Sequence, residues 1–376
     1  MHAKPGSWME PQKYIRWFCL GFIVTREITF GLGASKLPSL NPLVLTQWLM
    51  KQTKSNSIEL VEITKLNGGS LHENWLCRFL FDGSDFDGEY EFVLRMEPKH
   101  KLPQSLSVAE EYALLKFLSC TEVIVPDVFF LAPSSTISDS EILFMSSIRG
   151  TTNPIELHNI AHKNKNGQKM VRSLGKCTAH IHNIQQTMID FNFLKPPTTS
   201  PVQQKLLLFQ DILDKFSFAL PLLEWSIRWL AINAPSNQNI ALSHGDFRIG
   251  NIMYENSSLM GVLDWEFASW SDPLEDIGWL CARCWRYGND NMQVGGIGDL
   301  SDFISGYIEV AKTIPDWSAL SYWKIFGTVK WALIAHQQGL RRSKNQKKQL
   351  ELFLTAQKAY ELEHDILTQI KNFNGN

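Results

Sequence analysis

The chain has 376 residues, 44% of them hydrophobic and 20% charged, and 36 Lys and Arg against 38 Asp and Glu give a formal net charge of −2. That length suffices for two lobes and a sizeable core in the composition of an ordinary soluble globular protein, and the absence of a domain-wide basic excess leaves no case for a nucleic-acid partner. The 6 cysteines (Cys19, Cys77, Cys120, Cys177, Cys281, Cys284) are too scattered for a disulfide scaffold, which makes a reducing cytoplasm the default location; no apolar run reaches the roughly 18 residues of a membrane span, so no stable membrane insertion is expected.

Residues 1–56 read as an N-terminal extension, partly ordered. Lys4, Lys13 and Arg16 before the apolar run 17–24, with Gly33-Ala34-Ser35 beyond it, outline a signal peptide, but Glu10 and the pair Arg26-Glu27 interrupt that pattern. Residues 41–50 predict a helix capped by Asn41 with Pro42 at its first position. Strands follow at 58–66, 75–81 and 89–95, the last with Tyr90, Phe92 and Leu94 alternating onto one face. Between the first two, the turn Gly68-Gly69-Ser70 offers backbone N–H groups to phosphates, although a Gly-Gly turn by itself often only reverses a chain. A helix over 107–118 has Val108, Tyr112 and Leu115 at i, i+4, i+7 spacing. Glu111 borders that apolar face, where a carboxylate needs a partner.

Two further strands are expected at 123–131 and 141–145, flanking a Ser-rich loop. From Pro154 onward the pattern is mostly helical. His180 and His182 on the amphipathic helix 170–184 stand i, i+2 and face different directions, which suits packing or surface roles better than a metal site. Cys281 and Cys284 form one C-x-x-C without a second pair or a His cluster, so helix packing is expected of them. The end, 321–373, reads as helical, with Arg341, Arg342, Lys344, Lys347 and Lys348 as a solvated loop.

The most informative stretch is LSHGDFRIGNIMYENSSLMGVLDWEFASWSDPLEDIGWL, residues 242–280. It reads as a short strand at 240–242, a polar loop from His244 to Asn251, and a hairpin of two strands, 252–254 and 259–263, that ends on Asp264. The hairpin keeps its ends close, so Asp246 and Asn251 converge with Asp264. Magnesium takes oxygen ligands, usually one or two from the protein together with substrate phosphates, and Asn251 and Asp264 supply that number. Phosphoryl transfer needs alignment, charge neutralisation and a carboxylate for the acceptor's proton; Asp246 is the candidate base. Asp, Asn and Gly are also what turns are made of, but the ordered His-x-Asp-x-x-x-x-Asn with a later Asp matches a kinase template. Asp272, Pro273 and Glu275 have the form of a helix start, with Asp as N-cap, Pro at N1 and Glu at N3.

HGDFRIGN followed by VLDWEFASWSDPLEDIGWL resembles the aminoglycoside phosphotransferase superfamily, which also holds choline, homoserine and fructosamine kinases. It is especially similar to the bacterial phosphotransferase family proteins and to the kinase-like domain fused to some acyl-CoA dehydrogenases. The resemblance covers about residues 58–360. It implies an α+β, protein-kinase-like bilobal fold: a small antiparallel-sheet lobe with one helix at 57–148 covers ATP, and a larger, mostly helical lobe at 149–376 carries the catalytic loop and hairpin. It implies ATP and Mg2+ as cofactors and transfer of the γ-phosphate to a hydroxyl of a small molecule, aminoglycoside-, amino-sugar- or choline-like.

By the same resemblance, Arg95 stands where relatives carry a phosphate-binding basic residue. Lys is commoner there, but the planar fork of Arg also binds oxygens, and Glu111, or failing it Glu110, is its expected partner. The stretch from Ser146 and Ser147 to Gly150 is the expected hinge, where relatives hold adenine. Asp276 matches a residue that holds the catalytic loop in place. His244, Arg248, Glu266 and Asp272 are supporting residues, with Arg248 and Glu266 near enough to touch phosphate or acceptor and equally explained by a plain salt bridge. Trp270, Trp279, Trp285 and Trp317 are candidates to line the acceptor pocket, against core packing. A protein kinase is the second enzyme reading, opposed by Trp265-Glu266 where protein kinases carry Phe-Gly after the metal-binding Asp and by the lack of an Ala-Pro-Glu segment. A nucleotide-binding pseudoenzyme is the third, for which Arg95 leaves room. The acceptor and the oligomeric state are left open.

Overall fold

The computed structural model describes residues 40–374, apart from 67–71, 84, 99–101, 103, 164, 237–238 and 342–345. The turn Gly68-Gly69-Ser70 and residues 1–38 therefore lie outside the described residues.

β1 (Ser57–Leu66), β2 (Glu73–Asp82), β3 (Gly88–Met96), β4 (Val128–Ala132) and β5 (Ile142–Ser146) form one antiparallel sheet in the order β1-β2-β3-β5-β4. Strand alternation sorts its two faces. Trp75, Cys77, Phe79, Phe81, Phe92, Leu94, Ile142 and Phe144 are buried in one core with Leu45 and Leu49 of α1 (Pro42–Thr53). Asn41 caps α1 by accepting from Leu43 N at 3.0 Å, and Trp48 stacks on Phe144 at 5.4 Å between centroids. The other face gives Leu143 and Met145 to the main core, with Val108, Leu114, Leu115 and Leu118 of α2 (Val108–Leu118). Ser107 and Glu110 close a capping box at the start of α2, which commits Glu110 locally.

The expected strand at 123–131 is shorter than its apolar run: β4 begins only at Val128. Pro126 interrupts the run; it has no N–H for a ladder and is tolerated at strand edges and starts.

The remaining chain is helical around two short strand pairs. α3 (Pro154–Lys163), α4 (Gly167–His182), α5 (Pro201–Leu213) and α6 (Pro221–Ile232) lead into β6 (Ala241–Ser243). β7 (Ile252–Glu255) and β8 (Ser258–Val262) make the expected hairpin, and β9 (Ser269–Ser271), absent from the sequence expectations, pairs antiparallel with β6. α7 (Pro273–Leu280), α8 (Leu300–Val310), α9 (Leu320–Leu340) and α10 (Gln346–Asn374) complete the order. Lys347 and Lys348 fall within α10 rather than in the expected loop, Arg341 follows α9 directly, and Arg342 and Lys344 lie outside the described residues.

α4 and α8 approach backbone to backbone. A Cβ on Gly175 would run into the carbonyl oxygen of Phe303, and one on Gly306 into that of Arg172. The connection between sheet and helices is tied to the hairpin, with Thr151 bridged to Tyr254 by N–H···O bonds of 2.8 and 3.1 Å. Among the described residues no helix is long and apolar enough to cross a membrane.

Candidate active site

The loop from His244 to Asn251 and the end of the hairpin meet through one residue, Leu263. His244, fully buried, accepts from Asp246 N at Nδ1 (3.2 Å) and donates from Nε2 to Leu263 O (2.9 Å). Leu263 N in turn donates to Asn251 O at 2.9 Å. The residue before Asp264 is thus held from both sides by the loop that carries Asp246 and Asn251. Burial lowers the His244 pKa, against the pull of Asp276 and Asp246, so its neutral form, donor at one nitrogen and acceptor at the other, is the one that fits.

The Asp246 side chain is 19% exposed and both of its oxygens have donors. Asn251 Nδ2 donates to Oδ2 at 2.7 Å and to the Asp246 carbonyl at 2.9 Å; Arg248 Nε donates to Oδ2 at 3.2 Å. Oδ1 accepts from Trp279 Nε1 at 2.8 Å. Trp279 therefore anchors the candidate base directly. It belongs to an aromatic group with Trp285 and Trp331, at centroid separations of 5.1 Å (Trp279–Trp285) and 5.0 Å (Trp285–Trp331). Arg248 lies over Trp285 at 5.1 Å. Of the other two tryptophans singled out from sequence, Trp270 is a core residue donating to Leu194 O (2.9 Å) and Trp317 packs on Tyr307; neither joins this group.

Asp264 takes a left-handed backbone conformation, φ 65° and ψ 63°, which Asp tolerates better than most residues. Its Oδ1 receives Arg95 Nη1 at 2.5 Å, and Arg95 Nε lies 2.7 Å from Glu111 Oε2. Arg95 is 4% exposed, so its guanidinium is held inside rather than facing solvent from the strand. Glu111 also accepts from Trp265 N at 3.2 Å and is fully inside rather than on the border of its helix face. With Glu110 spent on its cap, Glu111 is the partner.

Burial works against the Arg95 charge, but Glu111, Asp264 and Glu266 outweigh it and raise the pKa. Burial likewise pushes the Asp264 carboxyl up, and the charge and hydrogen bond of Arg95 bring it below its ordinary value. Glu266 is 7% exposed, 3.9 Å from Arg95 and 3.5 Å from His72. Its pKa is raised to about 8, chiefly by burial, and that of His72 is lowered to about 4 for the same reason. Both shifts favour the uncharged forms near neutral pH, so Glu266 stands as an enclosed polar neighbour of Arg95 and His72.

Asp276 supports the loop from beneath. It is 1% exposed and accepts from His244 N at 2.7 Å and Gly245 N at 2.9 Å. His182 Nε2 lies 3.4 Å from its Oδ2, and His182 Nδ1 lies 3.0 Å from the Tyr307 hydroxyl. Asp272 is the N-cap of α7, accepting from Leu274 N at 2.8 Å and from Asn239 N at 3.2 Å. Glu275 does not reach back to that cap: Ser271 Oγ donates to its Oε2, and Lys205 and Lys330 flank its Oε1 at 3.3 and 3.7 Å.

Ser146 ends β5 and its Oγ accepts from Asp127 N at 2.9 Å, while Ser147 lies half-buried in the connection to the helices. Cys281 and Cys284 are free thiols packed at the end of α7. Among the described residues no group of three or more His, Cys, Asp or Glu gathers in metal-binding geometry.

Residues 62–313 match the family model of the phosphotransferase enzyme family. The chain belongs to this family. The matched span ends earlier than the 58–360 suggested by sequence motifs. This phosphotransferase family member is 28% identical over 266 residues to acyl-CoA dehydrogenase family member 10 of Mus musculus, covering 70% of this chain and 24% of that one. To acyl-CoA dehydrogenase family member 11 of Homo sapiens it is 23% identical over 264 residues, 64% of this chain and 33% of that one. It thus spans about a quarter to a third of the length of these curated relatives. Among solved structures, spectinomycin phosphotransferase in complex with ADP and spectinomycin superposes with a TM-score of 0.53 at 14% identity, over 89% of this chain and 100% of that one. Plasmodium vivax ethanolamine kinase gives 0.54 at 14% identity, over 79% and 81%. At such identities the likeness is one of fold, the α+β bilobal kinase-like architecture.

Proposed function

We propose that this family member transfers the γ-phosphate of Mg-ATP to a hydroxyl of a small molecule, with Asp246 receiving the acceptor's proton. The observation that carries this reading is the convergence of Asp246, Asn251, Asp264 and the Arg95–Glu111 pair around Leu263. Asn251 spends its NH2 on Asp246, leaving its amide oxygen, and Asp264 is held ionised by Arg95; one amide oxygen and one carboxylate fit what magnesium takes from a protein when phosphates complete its shell. Arg95 Nη2 is buried without a hydrogen-bond partner, a donor available to a phosphate oxygen. Bound Mg-ATP would supply the transferable group and the charge that neutralises its oxygens. Asp246, fixed on three sides and open on the fourth, would orient the hydroxyl and accept its proton. Asp276 and His244 would keep the loop from shifting, since misplacement of about 1 Å costs about 100-fold in rate.

The test is ADP release from Mg-ATP across a panel of aminoglycosides, macrolides, amino sugars, choline and homoserine, with Asp246→Asn in parallel. Acceptor-dependent release that vanishes in the variant supports the reading. Equal release in both proteins refutes the assignment of the base.

A further inference from the structure

Lys330 stands in the middle of α9, far in sequence from the loop, yet its ammonium lies against the candidate base's supports. Its Nζ donates to Gly245 O at 2.5 Å and sits over the Trp279 ring, 4.8 Å from the centroid. Gly245 O is the carbonyl of the peptide that begins Asp246, and Trp279 is the residue whose indole N–H holds Asp246 Oδ1. One cation therefore touches both the backbone and the side-chain anchor of the same carboxylate.

We propose that Lys330 is a positioning residue for Asp246, locking the Gly245–Asp246 peptide and the Trp279 indole in the geometry that presents the carboxylate to an acceptor. This rests on the reading of Asp246 as the base. Gly245 has φ +79°, and a Cβ there would collide with the Phe267 carbonyl, so the peptide occupies a conformation only glycine takes freely. A donor on its carbonyl fixes the peptide plane. Trp279 is held from its face by the ammonium, an attraction strengthened where water is excluded, while its edge donates to Asp246. The simpler role, a counter-ion for Glu275, is already filled by Lys205, which is nearer to Glu275 Oε1 (3.3 Å against 3.7 Å) and donates its other hydrogen bond to Ser269 Oγ.

Three variants separate the roles: Lys330→Met, which keeps an apolar stem over Trp279; Lys330→Arg, which keeps the charge; and Lys205→Met, which removes only the nearer partner of Glu275. The readouts are the affinity for Mg-ADP, kcat and KM with the acceptor found by the panel, and the ¹H–¹⁵N resonance of the Trp279 indole, assigned with Trp279→Phe. Lys330→Met is expected to bind Mg-ADP within about two-fold of the parent, to lose about 10- to 100-fold in kcat with KM for Mg-ATP little changed, and to move the indole resonance. Lys330→Arg is expected to recover most of both, and Lys205→Met to leave both near the parent.

An unmoved indole resonance in Lys330→Met, or equal losses in Lys330→Met and Lys205→Met, overturns the proposal. Should Lys330→Met not fold, Lys330→Gln gives the same comparison. A mistaken base shows itself differently: Asp246→Asn would then remain active, whatever Lys330 does. The resonance reads the contact without any turnover, so it decides the geometry even before an acceptor is found.

Discussion

Arg95 joins Glu111 to Asp264: one guanidinium, 2.7 Å from the first carboxylate and 2.5 Å from the second, ties α2 of the sheet region to the end of the hairpin in the helical region. Arg95 and Glu111 are buried and the Asp264 side chain is 26% exposed, so the dependence of one charge on another is strongest between the first two. Removing the cation strands two carboxylates. Arg95→Met is therefore expected to destabilise the protein by about 3–5 kcal/mol, as the loss of one partner of a buried ion pair does, read from the urea midpoint. Arg95→Lys is expected to lose less, because an ammonium is a point charge that reaches one carboxylate well and not both. Equal midpoints for the parent and Arg95→Met would show that Glu111 and Asp264 do not need it.

Asp246→Asn keeps size and shape and removes the proposed proton acceptor. Turnover is expected to fall by about 10²- to 10⁴-fold, the usual contribution of general base catalysis, with the melting temperature within a few degrees of the parent. Steady-state ADP release and a thermal melt measured on the same preparation check both halves.

Trp279→Phe preserves the ring of the aromatic group and deletes the N–H that reaches Asp246 Oδ1. A hydrogen bond to a charged group contributes about 1.5–3 kcal/mol, so kcat is expected to drop about 10-fold or more while Mg-ADP binding holds. Unchanged kcat would remove Trp279 from the account of the base.

Asp276 makes acid stability readable. Burial pushes its carboxyl up, but the hydrogen bond and charge of His182 and the His244 amide bring it down to about 2, from an ordinary 3.8. A depressed carboxylate favours the folded state once pH exceeds the unfolded value, and that contribution fades as pH falls through the folded one. About 2 kcal/mol is expected to disappear between pH 4 and pH 2. Chemical denaturation at a series of pH values should show that loss in the parent and a flatter curve in Asp276→Asn.

Local chemistry made much of the site legible. The loop, the hairpin and the cap of α7 are written in consecutive residues, and Glu111 announced its need for a partner by sitting beside an apolar stripe. What stayed hidden was set by residues distant in the chain. Trp279 reads as one more core aromatic until its indole is seen on Asp246, and Lys330 is 85 residues from the carbonyl it touches. His182 reads as a packing or surface residue, yet a buried Asp276 requires donors, and that was the available signal. β9, at three residues, is too short to carry an alternating pattern, and Pro126 shortened the strand its apolar neighbours suggested.

The contact of α4 with α8 at Gly175 and Gly306 restricts how this molecule can move. Where side chains separate two helices, one can slide past the other by exchanging rotamers; here carbonyl faces glycine and there is nothing soft to exchange. His182, near the end of α4, carries that rigidity to Asp276 and so to the loop bearing Asp246. Sliding of α8 along α4 would drive those carbonyls into the backbone opposite, so the pair resists it and holds His182 in register with Asp276.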